Sequence, residues 1–429
     1  MKRAIKGIAL SLVAISTLQA ADLSGFVKYM NAGAQNQDKT IDKESSVLGI
    51  ELGISEQFSD KFSGKITGMS VEALGDDNSC RRIIDSKAYN NPDGFTVLGE
   101  AYIKYEDDNS EITVGRQKIN TPLLASNPTG MTYQTLVLSG TFEALRYQKE
   151  LDSGSIDFSM ISKYKQRTSD KFYDLGENIT GNTTALDMDY VAMLGYSNSI
   201  DKNTEYQLWA LKAENLTNTV YGDVNYKIKS NGVNIDFAIQ GLDQSIDSNQ
   251  RNIVTTEATQ QLNESKTVDD SSLVGAKVSV SKNGSKLMLA ATKTGDNQII
   301  LPWDGTPAFT KICVTNGLTR SIKGKGLTNY AGAYAANTNA LKLAYIQDFS
   351  KFGVSGLKSV IAYAKYDTKA ATVDQSDKMI YLTYELDGKL KGLTATAAYT
   401  KIDNFNADTW IIEDGQEYEH YKLILTYSF

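Results

Sequence analysis

Few residues of this 429-residue chain could take part in covalent or metal chemistry. His420 is the single histidine, and Cys80 and Cys313 are the two cysteines. One imidazole excludes most histidine-based metal sites and makes a Ser-His-Asp triad a poor candidate. The sequence has no G-x-S-x-G, no P-loop and no G-x-G-x-x-G between a strand and a helix. We therefore predict a protein that is not an enzyme, with no cofactor and no metal.

A second group of residues could attract dissolved ions rather than react with them. These charged side chains fall opposite the apolar residues of segments that alternate in polarity, so they should face water. The basic members are Lys28, Arg146, Lys163, Lys277, Lys342 and Lys422, and the acidic members include Glu51 and Glu100. The two signs nearly balance, so the sequence leaves the preference between anions and cations open.

The segments that carry these residues have the two-residue period of β-strands. In the run from Val47 to Ile54, four apolar residues share one side and Gly49, Glu51 and Gly53 share the other. About 18 such segments follow one another, many close to the 9–11 residues with which a tilted strand crosses a membrane. Tyrosines recur near their ends, where an amphipathic ring suits a membrane interface.

The connections between segments alternate in length. Short links such as Lys282-Asn283-Gly284 follow even-numbered segments, and long links follow most odd-numbered ones. The predicted long loops are 32–45, 74–95, 118–140, 165–187, 244–270, 295–338 and 402–416. All five prolines fall inside them, as expected if every strand is paired on both sides. Long loops on one rim and short turns on the other are typical of outer-membrane barrels.

An apolar face on every strand needs either a second packed layer or lipid. In lipid each backbone polar group must be paired, so the sheet must close on itself. We predict an all-β protein, a transmembrane antiparallel β-barrel of about 18 strands with short periplasmic turns and long extracellular loops. Its interior should be too wide for side chains to fill. The net charge of −7 argues against a nucleic-acid partner.

The N-terminus resembles an export signal. Lys2, Arg3 and Lys6 precede a short apolar run that ends at Gln19-Ala20-Ala21. A membrane anchor is the weaker interpretation, because a spanning helix needs about 20 apolar residues. We predict a signal peptide at 1–20, a barrel at 21–429 and a location in the outer membrane of a Gram-negative bacterium. In an oxidising compartment Cys80 and Cys313 are candidates for a disulfide.

The chain resembles the OprD family of substrate-specific porins. The resemblance rests on Gly115-Arg116-Gln117, on Asn120-Thr121-Pro122, on the return at Ser139-Gly140-Thr141-Phe142 and on the strand count. It implies a third loop, at about 118–140, that folds inward and narrows the pore. It also implies a row of basic residues on the wall, for which Arg116 and Arg146 are the first candidates. Arg116 has a second interpretation, outside the channel, because it alternates with Ile112 and Val114.

Two functions remain open from the sequence. The first is a passive channel for small hydrophilic solutes, with a preference for charged or carboxylate-bearing ones. The alternative is a major surface porin that also acts as an adhesin or structural protein through its long loops. The expected partners are the solutes and outer-membrane lipid, and a homo-oligomer is compatible with either function. Because the row is rich in lysine, which binds a carboxylate as a point charge, tight carboxylate selectivity is not expected.

Overall fold

The structure is a computed structural model. It describes residues 21–37, 42–74, 94–127, 137–167, 169–180, 186–247, 269–301, 303, 305–312, 320–321, 327–328, 332–369, 371–406 and 411–429. The predicted signal peptide at 1–20 lies outside these residues, as do Cys80 and Cys313. The signal peptide and the disulfide therefore stay predictions.

Eighteen long strands of the described chain form one antiparallel sheet, in which each strand pairs with its neighbours in sequence. The strands are β1 (Asp22–Asn36), β2 (Asp42–Ser59), β3 (Phe62–Leu74), β4 (Phe95–Asp107), β5 (Ser110–Gln117), β6 (Thr141–Leu151), β7 (Gly154–Lys165), β8 (Val191–Ser199), β9 (Thr204–Ala213), β10 (Thr217–Ser230), β11 (Val233–Ile246), β12 (Ser271–Lys282), β13 (Ser285–Thr294), β14 (Thr338–Asp348), β15 (Leu357–Thr368), β16 (Gln375–Glu385), β17 (Leu393–Asn406) and β18 (Ile411–Ser428). The predicted fold class and strand number are confirmed.

The sheet closes into a barrel because β1 pairs with β18. Their register runs from Phe26 opposite Ser428 to Asn36 opposite Tyr418. The last residue completes the pairing: Gly25 N donates to the Phe429 carbonyl at 3.0 Å, and Phe429 N donates to the Gly25 carbonyl at 3.1 Å. A closed sheet leaves no edge strand with unpaired backbone groups.

The two rims of the barrel differ, and we call them the turn end and the loop end. At the turn end, Asn231-Gly232 and Asn283-Gly284 link their strands with positive φ at both residues, the geometry of tight type I′ hairpins. At the loop end, longer connections follow β3, β5, β7, β11 and β13. The predicted long loops at 32–45 and 402–416 were wrong in extent, because β1, β2, β17 and β18 continue into them.

Each strand presents an apolar face outward and a mixed face inward. On β13, Leu287 and Leu289 are exposed, whereas Ala290 and Thr292, which lie on the opposite side of the strand, are buried. The same alternation recurs on β14, where Leu341 and Leu343 are exposed and Lys342 is buried. The outward face therefore presents large apolar side chains to its surroundings, as lipid contact requires.

Small elements complete the described chain. They are the helix α1 (Leu175–Thr180), the 3-10 turns Phe349–Phe352 and Gly388–Leu390, and the two-residue strands Tyr173–Asp174, Arg320–Ser321 and Leu327–Thr328. None of the helices among the described residues has the length and apolar character needed to traverse a bilayer. The largest buried apolar cluster joins the inner wall to parts of the 118–140 and 295–337 loops.

Candidate functional site

Most of the charged residues predicted to face inward do so. They share the inner side of the wall with buried neighbours, as Lys28 does with Met30 and Lys422 with Ile424. The inward residues are Lys28, Glu51, Glu100, Arg146, Lys277, Lys342 and Lys422. They surround one interior space, which we call the lumen, and this space is the candidate site.

Arg116 does not face the lumen. It lies on the side of β5 that carries Val114, which is 54% exposed. Its cross-strand neighbour is Glu143, with which it forms an ion pair at 3.2 Å. The expectation that Arg116 belongs to the basic row is wrong, and its alternative position outside the channel is the one observed. The alternation with Ile112 and Val114 was the correct signal.

Lys163 also faces outward, contrary to the prediction. Between β6 and β7 the register shifts so that Ala144 pairs with Ile161 while Glu143 pairs with Lys163. Ser162 is the extra residue of this β-bulge, and an extra residue reverses the sides of those that follow. Lys163 therefore lies beside Glu143 on the outer face, where it pairs with Asp174 at 3.3 Å.

Both ends of the 118–140 loop contact one carboxylate of the inner wall. Lys118 Nζ lies 2.5 Å from Glu51 Oε2, and the backbone N–H of Ser139 donates to Glu51 Oε1 at 3.3 Å. Gly49, two residues from Glu51 on the same inner side, lies against Val137 so closely that a Cβ there would be 2.3 Å from Val137 Cγ1. The wall of β2 is thus shaped to receive this loop.

The same loop packs against a second loop across the lumen. Ile119 and Leu124 are fully buried, and Thr121 Oγ1 lies 3.3 Å from Met193 Sδ on β8. The N–H of Ala125 donates to the carbonyl of Trp303 at 2.9 Å. These contacts join residues 119–127 to the 295–337 loop and to the opposite wall.

Tyr334 anchors the second loop inside the barrel. Its side chain is fully buried, and its hydroxyl accepts a hydrogen bond from Ala308 N at 2.8 Å. Burial raises the pKa of Tyr334 above its ordinary value, so the hydroxyl stays protonated. Nearby, Gln244 on β11 donates to the Ile300 carbonyl and accepts from Ile300 N at 2.9 and 2.8 Å.

Glu51 and Glu100 belong to one buried charge cluster beneath the 118–140 loop. Glu100 Oε2 accepts a hydrogen bond from Thr67 at 2.9 Å and lies 3.2 Å from Lys65 Nζ. Lys118 Nζ, already paired with Glu51, is 4.0 Å from Glu100. Neither cation was predicted from the sequence. The alternation of Lys65 with the outward-facing Ile66 indicates that Lys65 faces inward, but no local pattern predicts the position of the loop residue Lys118.

A row of two lysines crosses three strands of the opposite wall. Lys277 on β12 and Lys342 on β14 both lie beside Ala290 of β13 in the register. Lys277 Nζ lies 4.4 Å from the centre of the Phe309 ring, and Lys342 Nζ donates to the Lys311 carbonyl at 3.0 Å. We call this pair the lysine row. Among the described residues, no carboxylate oxygen lies within 4 Å of either ammonium group.

Arg146 is inward but already paired. Its Nε donates to Asp157 Oδ1 at 3.0 Å, and its Nη2 contacts the other oxygen of the same carboxylate. Gln148 donates to that carboxylate as well, at 3.3 Å. Such a two-point ion pair holds the guanidinium against the wall and leaves it less able to bind a passing solute.

A polar network around Asp223 lines the lumen at the middle of β10. Tyr221 and Asn225 each donate to this carboxylate at 2.8 Å, and Gln207 donates to it at 2.5 Å. A cavity of about 340 Å³ adjoins it, lined mainly by serine, asparagine and acidic side chains of β7 to β10. In the described part of the chain, no group of three or more metal-ligating side chains could hold a metal ion.

Comparisons with known proteins agree with this architecture. Residues 68–429 match the family model described as outer membrane porin, OprD family. Two similar solved structures are those of Pseudomonas aeruginosa OccK8 (OprE) and OccK9 (OpdG), at 15% and 16% identity and TM-scores of 0.74 and 0.75. A third is OpdK of the same organism, at 16% identity and a TM-score of 0.71. Each comparison covers 95% of this chain and 98% of the other.

The comparison with curated proteins gave no match. Neither the family match nor the similar structures support the adhesin alternative. The family match spans most of the chain, which confirms the resemblance seen in its sequence. An 18-stranded closed barrel of this family is an outer-membrane protein of a Gram-negative bacterium, so the predicted location is confirmed as well. The chain belongs to the OprD family of outer-membrane porins.

Proposed function

We propose that this porin passes small hydrophilic solutes through its lumen and prefers those that carry a carboxylate. The observation that carries the proposal is the lysine row formed by Lys277 and Lys342. Neighbouring strands are about 4.8 Å apart, so the two Cα atoms are roughly 10 Å apart across Ala290. Two cations at this spacing can act on one anionic group in turn as it moves along the wall.

Three other lumenal cations differ from this pair in having a carboxylate partner. Arg146, Lys118 and Lys65 each have a carboxylate oxygen within hydrogen-bonding or ion-pair distance. The neighbouring carboxylate largely neutralises the positive charge of each of these side chains. Lys277 and Lys342 lie on either side of Ala290, at a spacing at which like charges repel, and neither forms an ion pair with a carboxylate of the described chain. A passing anion would relieve that repulsion, whereas a cation would add to it.

The 118–140 loop is the proposed constriction. Its contacts with Glu51 and Gly49 on one wall and with the 295–337 loop on the other side support this role. Phe309 and Lys311 of the second loop reach the lysine row. In this proposal a solute passes along the lumen beside the two loops, where Phe309 and Lys311 narrow its path next to Lys277 and Lys342.

One similar protein guides the choice of probe. The structure of Pseudomonas aeruginosa OpdK was determined with vanillate, which is an aromatic carboxylate. We therefore include an aromatic carboxylate and a short aliphatic one among the test solutes, each beside its uncharged amide. A homo-oligomer stays a prediction, since each barrel has its own lumen and the proposed path needs no second chain.

The test is the reversal potential of purified protein in a planar bilayer under a salt gradient. The Lys277→Gln/Lys342→Gln variant should lose anion preference and should be blocked less by carboxylates than the unmodified protein. The matched control is Lys212→Gln/Lys293→Gln, which removes two outward-facing charges and should change neither quantity. An unchanged reversal potential and unchanged carboxylate block in the lysine-row variant would refute the proposal.

A further inference from the structure

The outer face carries a charged patch at the loop end of β5 to β7. Arg116, Glu143, Lys163 and Asp174 are successive neighbours across the sheet, so positive and negative side chains alternate along one row. The ion pairs within the row measure 3.2 Å for Arg116 with Glu143 and 3.3 Å for Lys163 with Asp174. None of these residues faces the lumen, so solute passage does not explain them.

Aromatic side chains complete the patch. The Arg116 guanidinium lies 4.3 Å from the centre of the Phe172 ring, and Lys171 Nζ lies 4.4 Å from the centre of the Tyr173 ring. Both aromatic residues belong to the segment that leads into the pairing of Asp174 with Lys163. Cation–π contacts of this kind hold basic side chains over a surface while their outer N–H groups remain available.

The patch lies at one edge of the lipid-facing band. On the turn side of the charged row, the next outward residues are Val114, Leu145 and Met160, which are 54%, 42% and 44% exposed. Side chains of this kind face hydrocarbon, and basic and aromatic residues beside them lie at headgroup level. Because the long loops are extracellular, these headgroups are those of the outer leaflet of the outer membrane, which is built from phosphorylated lipopolysaccharide.

We propose that Arg116, Lys163 and Lys171 bind the phosphate groups of lipid A in the outer leaflet. The ion pair with Glu143 uses Nε of Arg116, so its two Nη groups keep donors for a phosphate, the ligand that a guanidinium matches best. The patch residues named above comprise three cations and two carboxylates, so their net charge is positive. Basic residues near an anionic membrane surface bind its headgroups. Glu143 and Asp174 hold Arg116 and Lys163 on the outer face.

The test measures retention of diphosphoryl lipid A by the detergent-purified protein in native mass spectrometry, beside the dephosphorylated form. The variant is Arg116→Gln/Lys163→Gln/Lys171→Gln. The control, Lys149→Gln/Lys202→Gln/Lys282→Gln, removes the same charge at the turn end. We expect the patch variant to bind lipid A at least about tenfold more weakly. The control should bind as the unmodified protein does, and the unmodified protein should favour the phosphorylated form.

Single-channel conductance of both variants should equal that of the unmodified protein, because all six residues lie away from the lysine row; this also shows that the barrels are folded. If the triple variant does not fold, Arg116→Gln alone should weaken binding about fivefold. Equal retention of lipid A by patch and control variants would overturn the proposal. So would equal retention of dephosphorylated lipid A, or of phosphatidylglycerol, by the unmodified protein.

Discussion

Replacement of Glu51 should release the 118–140 loop from the wall of the barrel. The Glu51 side chain is 5% exposed, and its two oxygens contact Lys118 at one end of the loop and Ser139 at the other. Glu51→Ala removes both contacts at once and leaves the ammonium group of Lys118 partly buried without its closest partner. Glu51→Gln keeps an oxygen for the Ser139 N–H and removes only the charge.

The size of the effect follows from these contacts. A hydrogen bond to a charged group contributes about 1.5–3 kcal/mol, and loss of one partner of a buried pair costs about 3–5 kcal/mol. The Ser139 contact is long at 3.3 Å, and Lys118 can turn toward Glu100, which is 4.0 Å away. We therefore expect about 2–4 kcal/mol for Glu51→Ala. This raises the ratio of detached to bound loop by about thirty- to several hundred-fold, and Glu51→Gln should have a smaller effect.

Single-channel recording in a planar bilayer measures this ratio. Glu51→Ala should show a larger mean conductance, with current fluctuations that the unmodified protein lacks. The matched control is Glu205→Ala, which removes an exposed carboxylate whose pair with Lys227 contributes at most about 1 kcal/mol. Traces of a folded Glu51→Ala barrel that cannot be distinguished from those of the unmodified protein would refute the reasoning.

Two further substitutions test the same geometry. Gly49→Val should enlarge the conductance as Glu51→Ala does, because the new side chain occupies the space of Val137; a conductance equal to that of a control Gly241→Val, where a Cβ would meet no atom within 4 Å, would contradict this. Arg146→Ala should shift the reversal potential toward cation preference, because it leaves Asp157 without its guanidinium partner. Arg146→Ala/Asp157→Ala should restore the original value, and a double variant that stays shifted would show that the pair is not the cause.

The barrel was predictable because its pattern is local and repeated. Alternation along a strand fixes which side chains share a face, so Lys277 and Lys342 were correctly placed inside from their own segments alone. The same rule indicated that Arg116 faces outward, because it lies on the same side of β5 as Val114. The family resemblance predicted a lumenal Arg116, and the structure agrees with the alternation instead.

The errors have physical causes that a single sequence does not display. One extra residue at Ser162 turned Lys163 outward, and nothing in the polarity of the segment marks a β-bulge there. The contact between Glu51 and Lys118 joins residues 67 positions apart, so it depends on how a loop returns into the barrel. The predicted β1 ended too early, because Ala32 and Ala34 continue its inward face with side chains too small to give a clear alternation of polarity.

The central claim is that solutes pass through the inside of this barrel, and labelling of two adjacent residues of β13 tests it most directly. Lys286 faces the lumen with a side chain 34% exposed, and Leu287 faces outward at 51%. In a background in which Cys80 and Cys313 are replaced by serine, a charged water-soluble thiol reagent should reduce the single-channel current of Lys286→Cys. It should leave the current of Leu287→Cys unchanged. A current that falls equally in both, or only in Leu287→Cys, would contradict the account.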